Sequence, residues 1–212
     1  MPPLPERLDP AELRVLGCLI EKQRTTPEQY PLTLNSLRLA CNQATNREPV
    51  VEYDEAEIRT ALGELSRRGW TRLASGPGSR AVKYRHLLGE ALSLSDADIS
   101  VLAVLMLRGG QTAAELKQRT ERLHRFDSTA EVTETLESLA GRELVQLLPR
   151  RPGEREARWV QLLGESSAAP VSALPPAPSP AAADERLDLE ERVRALEEAV
   201  AALEQRLDRL DA

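Results

Sequence analysis

One polar segment of the sequence concentrates side chains that could form a recognition surface. They are Asn35, Arg38, Asn42, Gln43, Asn46 and Arg47. Amide and guanidinium groups can read adenine or guanine edges through paired hydrogen bonds, and they can equally bind a peptide backbone. A local interpretation is also open. In it, "TTPEQYPL" is a turn with an extended piece that pairs with a later hairpin, and "NQATNREP" is a turn whose Asn side chains bond their own backbone.

Residue types that commonly carry catalysis or bind metal are few and scattered. His86 and His124 fall in different parts of the chain, and Cys18 and Cys41 lack the spacing of a zinc site. No Gly-rich loop follows a strand, so "SGPGS" is interpreted as a turn rather than a phosphate cradle. Cys18 lies beside an apolar helix face and is expected to be packed in the core. We therefore predict a non-enzymatic protein without cofactor or metal.

Charge and composition limit the possible partners and location. The formal net charge of −6 arises from residues 165–212, because acidic and basic residues balance before that point. No global basic field draws the chain to nucleic acid. The longest apolar run, residues 101–107, is too short to span a bilayer, and the N-terminus lacks a signal-sequence pattern. With only two cysteines, the sequence predicts a cytoplasmic, reduced protein without a membrane association.

The part of the chain before residue 165 contains an internal repeat. The apolar pattern of residues 13–20 recurs at 99–106, and that of 58–65 recurs at 132–139. Capping signals start helices at Asp9, Ser95 and Thr112, and third helices are expected near Asp54 and Ser128. Alternating runs around turns, "WTRLA" with "AVKYR" and "LVQLL" with "ARWVQ", predict a hairpin at the end of each copy.

These patterns predict a mainly α fold with small β-hairpins (α+β), built as two tandem winged helix-turn-helix domains at 9–89 and 93–164. A Pro/Ala-rich, disordered linker is expected at 165–184 and a coiled-coil helix at 185–212. The stretch "LGCLIEKQRTTPEQYPLTLNSLRLACNQATNREPV", followed by "SGPGSRAVKYRH", resembles the YceH-type family of uncharacterised bacterial proteins. "LRGGQTAAELKQR" and "PGEREARWVQL" resemble that family's second half. The resemblance covers roughly residues 9–164 and implies tandem winged helices, but no catalytic residues and no established activity. The linker and tail lie outside it.

Charge on the predicted third helices argues against reading of DNA bases. Asp54, Glu55 and Glu57 begin the first of these helices, and Glu131, Glu134 and Glu137 lie on the second. Carboxylates at a helix N-terminus interact favourably with the helix macrodipole, but they repel phosphates. Basic residues instead lie on or near the predicted wings: Arg80, Lys83, Arg150, Arg151 and Arg155. They are either solvated charges that pair with nearby Glu residues or weak, salt-sensitive contacts to the DNA backbone.

The C-terminal segment carries a heptad pattern. Its apolar positions alternate in spacing by four and three: Leu189, Val193, Leu196, Val200, Leu203, Leu207 and Leu210. From Val193 the successive a positions hold Val, Val and Leu, and every d position holds Leu. β-Branched a residues with Leu at d favour a parallel dimer, although the helix could also fold back onto the domains. The sequence therefore predicts an adaptor with a protein partner, made multivalent by homodimerisation of the tail. The alternative is a DNA-binding transcriptional regulator that contacts DNA through basic wings and the Asn-rich insertion.

Overall fold

The computed structural model describes residues 7–74, 81–150 and 152–165, all within one compact unit, Met1–Ala169. The linker beyond Glu165, the heptad segment, Arg80 and Arg151 lie outside the described residues. The first repeat contains α1 (Pro10–Thr25), a 3₁₀ turn (Pro27–Gln29), β1 (Leu32–Thr33), α2 (Leu34–Cys41), α3 (Glu55–Arg67), β2 (Thr71–Leu73), β3 (Lys83–His86) and α4 (Leu88–Leu92). The second contains α5 (Asp96–Arg108), α6 (Ala113–Thr120), α7 (Thr129–Gly141), β4 (Val145–Leu147) and β5 (Trp159–Gln161). The predicted mainly helical α+β fold with small hairpins is confirmed.

The helices begin where the capping signals place them. Asp9 and Glu12 bond each other's backbone N–H groups at 2.7 Å, and Thr112 forms the same capping box with Glu115. Asp54 and Ser128 cap α3 and α7 as predicted. Each cap satisfies backbone donors that the first turn of a helix leaves without partners, which fixes the start of the element.

The strands follow the same plan in both repeats. β2 and β3 are antiparallel with Leu73 opposite Tyr84, and β1 adds a third strand through the Leu32–Tyr84 pair, giving the order β1-β3-β2. The predicted pairing of an extended piece after "TTPEQYPL" with the hairpin is thereby confirmed. In the second repeat β4 pairs with β5, and an isolated antiparallel bridge joins Gln111 to Trp159. Gln111 and Trp159 correspond to Leu32 and Tyr84, so the bridge occupies the place of β1.

The two repeats share a core centred on α1 and α5. Both helices are buried over most of their length, and the buried residues of the two repeats form one cluster. Gly17 permits their close approach, because a Cβ there would lie 2.9 Å from Cγ of Leu107. The backbone N–H of Leu8 donates to Leu163 O at 2.8 Å and so attaches the start of the described chain to the end of the second repeat. The domain limits 9–89 and 93–164 fall within this unit and stay a prediction.

Candidate functional site

Helix α2 has one buried face and one exposed face. Thr33 Oγ1 accepts a hydrogen bond from Ser36 N at 3.2 Å and caps the helix. Leu37, Ala40 and Cys41 are buried against α1 and α3. This division follows from the helical period, since residues three and four apart lie on the same side. The remaining positions of this short helix are therefore those that a partner could reach.

An apolar side chain and a polar pair share the exposed part of α2. Leu39 is 56% exposed, and Arg38 donates from Nη2 to Asn35 Oδ1 at 3.1 Å. We call Asn35, Arg38 and Leu39 the α2 patch. Asn35 and Arg38 were identified from sequence, whereas Leu39 was missed. The sequence does contain a signal for the exposure of Leu39, because this residue lies off the apolar stripe formed by Leu34, Leu37 and Cys41.

Arg47 is part of the protein interior. The residue is only 5% exposed, and its guanidinium bonds both carboxylate oxygens of Glu21, at 2.6 and 3.1 Å. Nε also donates to Ala40 O at 3.1 Å. Burial acts to raise the pKa of Glu21, but the hydrogen bond and charge of Arg47 outweigh it and hold that pKa below its ordinary value. The pair ties the loop between α2 and α3, residues 42–54, to α1.

Asn42 and Gln43 brace the same loop. Asn42 forms two hydrogen bonds with the backbone of Tyr53, donating to its O at 2.8 Å and accepting from its N at 3.0 Å. Gln43 Oε1 accepts from Arg47 Nη2 at 3.2 Å and from Lys22 Nζ at 3.4 Å. The local interpretation expected bonds within the turn. For Asn42 the structure instead places the bonds between the two ends of the loop. Gln43 bonds Arg47 within the turn and Lys22 on α1.

Asn46 reaches the second repeat. It is exposed and has a positive φ of 62°, a conformation that Asn tolerates better than most residues. Its Oδ1 accepts a hydrogen bond from Arg108 Nη2, at the end of α5. The backbone N–H of Glu48 donates to Leu107 O at 2.8 Å. Of the six residues identified from sequence, Asn35 and Arg38 thus lie together on the α2 patch, while the other four belong to the α2–α3 loop.

Both cysteines lie beside this loop, in the core. Cys18 is fully buried, as its expected packing role requires, and its Sγ lies 3.4 Å from Ala40 O. Arg14 is also buried and donates to Cys41 O at 3.1 Å and to Pro49 O at 2.6 Å. Burial lowers the pKa of Arg14. The loop is therefore held to α1 by Arg14 and by Arg47, in addition to the bond between Lys22 and Gln43.

The acidic third helices use their carboxylates as caps. Asp54 Oδ1 accepts from the backbone N–H groups of Ala56 and Glu57 at 2.7 and 2.9 Å, and Glu57 returns a bond to Asp54 N. In α7, Ser128 Oγ accepts from Glu131 N at 3.1 Å, and the Glu131 carboxylate accepts from Asp127 N. These helix ends present carboxylates where a phosphate would need free N–H donors.

The hairpins carry both basic and apolar exposed residues. Arg150 and Arg155 are exposed and Lys83 is half-buried. Exposed apolar side chains lie on or beside the same strands, namely Leu73 and Val82 in the first repeat and Leu147, 47% exposed, in the second. The described parts of the two hairpins are therefore mixed surfaces rather than continuous basic ones.

His86 on β3 is buried in an environment that keeps it neutral. It is 7% exposed, and its Nε2 lies 2.5 Å from Gln23 Oε1. Burial, together with the positive charges of Arg24 and Arg85, lowers the pKa of His86 to about 4. Its backbone N–H donates to the hydroxyl of Tyr30 at 2.9 Å. The contact with Gln23 joins β3 to α1, and His86 therefore has a structural role.

Within the described ranges no group of His, Cys, Asp or Glu side chains is arranged to hold a metal ion. None of the helices described is long and apolar enough to cross a membrane. The described residues thus form an α+β protein whose exposed side chains include amide, guanidinium, carboxylate and apolar groups.

Comparison with known proteins identifies the family of the chain. Residues 8–154 match the family described as "Protein of unknown function, DUF480". Relatives called "UPF0502 protein" occur in Serratia proteamaculans (44% identical over 210 residues, 96% of this chain and 95% of the relative) and Klebsiella pneumoniae (46% over 206 residues, 94% of each). Another, from Opitutus terrae, is 45% identical over 197 residues, 92% of this chain and 84% of the relative. The chain belongs to the DUF480 family of uncharacterised proteins.

The family assignment confirms, at this level, the resemblance to an uncharacterised bacterial family. An alignment over 96% of the chain also has to extend beyond residue 165. The similarity to these relatives is therefore wider than the range of roughly 9–164 that the sequence motifs covered.

Proposed function

We propose that this chain is a non-enzymatic interaction module of two winged helices, and that a protein partner docks on the α2 patch. Support for the winged-helix assignment comes from the order of three helices and an antiparallel hairpin in each repeat. The equivalent pairs Leu32–Tyr84 and Gln111–Trp159 add to it, because they attach the same position of each repeat to its hairpin.

The observation that carries the protein-binding proposal is the exposure of Leu39 beside the Asn35–Arg38 pair. The other apolar residues of α2 are buried or half-buried, so Leu39 is not needed to hold the helix in place. A protein interface typically has an apolar centre with hydrogen-bonding groups around it, and Arg is enriched there. The α2 patch offers that combination.

The test is a pull-down from a bacterial lysate with the tagged full chain, with and without nuclease. Leu39→Asp places a charge in the proposed contact, and Leu147→Asp makes the same change at a similarly exposed leucine of the other repeat. We expect a discrete protein retained after nuclease treatment by the wild type and by Leu147→Asp, and lost with Leu39→Asp. Capture that all three proteins share, or that nuclease removes, contradicts the proposal.

A second candidate function is DNA binding through the hairpins, favoured by the exposure of Arg150 and Arg155. Phosphate contacts release counterions, so such binding has to weaken steeply between about 50 and 200 mM salt. Anisotropy of a labelled mixed-sequence duplex measures this. If DNA is the main ligand, neutralising Arg150, Arg151 and Arg155 abolishes binding and flattens its salt dependence. Absence of binding at low salt ends this second candidate.

We further propose that the heptad segment makes the chain a homodimer and the module multivalent, in the cytoplasm, where the thiols of Cys18 and Cys41 stay reduced. Replacing Val200 and Leu203 with Glu puts like charges in the desolvated seam. Light scattering should give the full chain a mass above that of one copy and return the double variant to the mass of one. A full chain of monomer mass at tens of micromolar contradicts the dimer.

A further inference from the structure

A polar cavity of about 250 Å³ lies between the α2–α3 loop and the second repeat. The loop contributes Asn46 and Arg47, the end of α5 contributes Arg108, and α6 contributes Arg119. Gln111 and Arg158, from the two segments joined by the Gln111–Trp159 bridge, lie in its wall as well. Two carboxylates complete the wall, Glu48 on the loop and Glu115 on α6, so four guanidinium groups and two carboxylates surround one small space.

Two of these guanidinium groups are already paired with carboxylates. Arg47 bonds Glu21, and Arg158 bonds Glu115 at 2.8 Å and approaches Glu154 at 3.4 Å. Arg119 lies 3.9 Å from the same Glu115 carboxylate, at the limit of an ion pair. Glu115 therefore interacts more strongly with Arg158 than with Arg119, and the positive charge of Arg119 is only weakly neutralised.

Arg108 is the least compensated cation of the cavity. Its hydrogen bond to Asn46 involves a neutral amide, and none of the described carboxylates forms an ion pair with it. Burial lowers the pKa of Arg108, and the positive charges of Arg119 and Arg47 act in the same direction, against the opposing charge of Glu21. An arginine stays protonated in proteins, so Arg108 and Arg119 carry two positive charges, and Glu48 is the one further carboxylate of the wall. The cavity therefore keeps an excess of positive charge.

An independent observation concerns Gln111, which is 4% exposed. Its Nε2 donates to Gly110 O at 2.8 Å and to Arg108 O at 3.2 Å, which fixes the orientation of the amide. Its Oε1 is buried and has no hydrogen-bond partner in the described part of the chain. A buried acceptor without a donor is unfavourable, so a small displacement of the wall that opens this atom to the cavity would let a ligand O–H group next to an anionic oxygen satisfy it.

We propose that this cavity binds a small phosphate-bearing ligand. Arg108 and Arg119 would each hold phosphate oxygens with the planar fork of donors that suits them. The missing donor for Gln111 Oε1 is a hydroxyl, either of the monohydrogen phosphate itself or of a short hydroxylated group attached to it. The volume admits a phosphate with a few further atoms, and it is smaller than the pocket of a drug-sized ligand.

The site joins the two repeats, because Asn46, Arg47 and Glu48 come from the first and the other wall residues from the second. Ligand binding would therefore strengthen the contact between the α2–α3 loop and α5, which rests on the Asn46–Arg108 and Glu48–Leu107 bonds. This ligand site is separate from the α2 patch and does not depend on the proposed protein partner.

Calorimetric titration of the full chain with inorganic phosphate and with glycerol 3-phosphate tests the proposal, with chloride at equal ionic strength as the blank. We expect saturable binding with a Kd below about 1 mM for at least one phosphate probe. Arg108→Gln and Arg119→Gln should each weaken it by about tenfold or more, since each removes a charged hydrogen-bond donor. Arg155→Gln, the same change at an exposed arginine outside the cavity, should leave binding unchanged.

The two phosphate probes distinguish free phosphate from a hydroxylated phosphate ester. Glycerate, a hydroxylated carboxylate, serves as a third probe, and binding of glycerate alone overturns the assignment to phosphate. The absence of saturable binding by the wild type overturns the site regardless of any variant. Equal binding by wild type, Arg108→Gln and Arg119→Gln does so as well. If Arg108→Gln unfolds, Arg119→Gln and Arg119→Lys provide the comparison, because the side chain of Arg119 is half-exposed.

Discussion

Replacing Arg47 with Ala should destabilise the protein far more than replacing Arg38, although both were identified from sequence as recognition residues. Arg47→Ala removes the buried partner of Glu21 and the donor to Ala40 O, and it leaves a carboxylate that is itself mostly buried. Arg38→Ala removes only an exposed hydrogen bond to Asn35. The structure thus assigns opposite roles to two arginines nine positions apart in the sequence.

The magnitude follows from the cost of breaking a buried ion pair by removing one partner, about 3–5 kcal/mol. For a chain of this length that loss corresponds to a fall in Tm of about 6–20 °C. An exposed substitution away from special features stays within about 0.5 kcal/mol. Arg38→Ala is therefore the matched control, and the two variants should differ by at least about 2 kcal/mol in free energy of unfolding.

Urea unfolding of the full chain, followed by circular dichroism at neutral pH, measures both variants against the wild type. A double-mutant cycle with Glu21→Gln separates the pairwise coupling from the general cost of truncation. The reasoning is refuted if Arg47→Ala costs less than about 1 kcal/mol, because a buried, multiply bonded guanidinium cannot be removed so cheaply.

Two further predictions concern titration and packing. His86 has a pKa of about 4 in the folded protein, against an ordinary value of 6.5, so the unfolded state binds the proton first as the pH falls. The free energy of unfolding should therefore decrease between about pH 6.5 and pH 4, by about 3 kcal/mol at most. His86→Gln should flatten this pH dependence when unfolding is measured across that range. Gly17→Ala should cost about 1–3 kcal/mol of stability, because the added Cβ would press on Leu107. Gly63→Ala, whose Cβ would have nothing within 4 Å, should stabilise α3 by up to about 1 kcal/mol. Urea unfolding measures both variants, and equal effects would contradict the close packing of α1 on α5.

Local patterns were sufficient to predict the elements and the repeat. Capping residues such as Asp54 and Ser128 act within four residues of the chain, so their effect is legible in the sequence. Helix α4 was missed because its N-cap, Leu87, forms no side-chain cap and the helix has only 5 residues. The bridge between Leu8 and Gly164 was missed because nothing local marks two segments that pair across the whole described chain.

The candidate site could be predicted only in part, and the reason is tertiary. Asn35 and Arg47 belong to the same polar segment, yet Arg47 pairs with Glu21 on α1 and is buried, while Asn35 stays exposed. Asn42 likewise finds the backbone of Tyr53 across the loop. Partners this far away in sequence are set by how α1, α2 and α3 pack together. Exposure of Leu39 is a further consequence of that packing.

The central claim is that the α2 patch contacts a protein, and photo-crosslinking in living bacteria tests it most directly. A photoreactive amino acid replaces Leu39 in the full chain, with Leu147 as the matched position on the second repeat. The account predicts a discrete protein adduct at position 39 that survives nuclease treatment and is absent at position 147. Adducts with nucleic acid at position 39, or the same protein adducts at both positions, would contradict it.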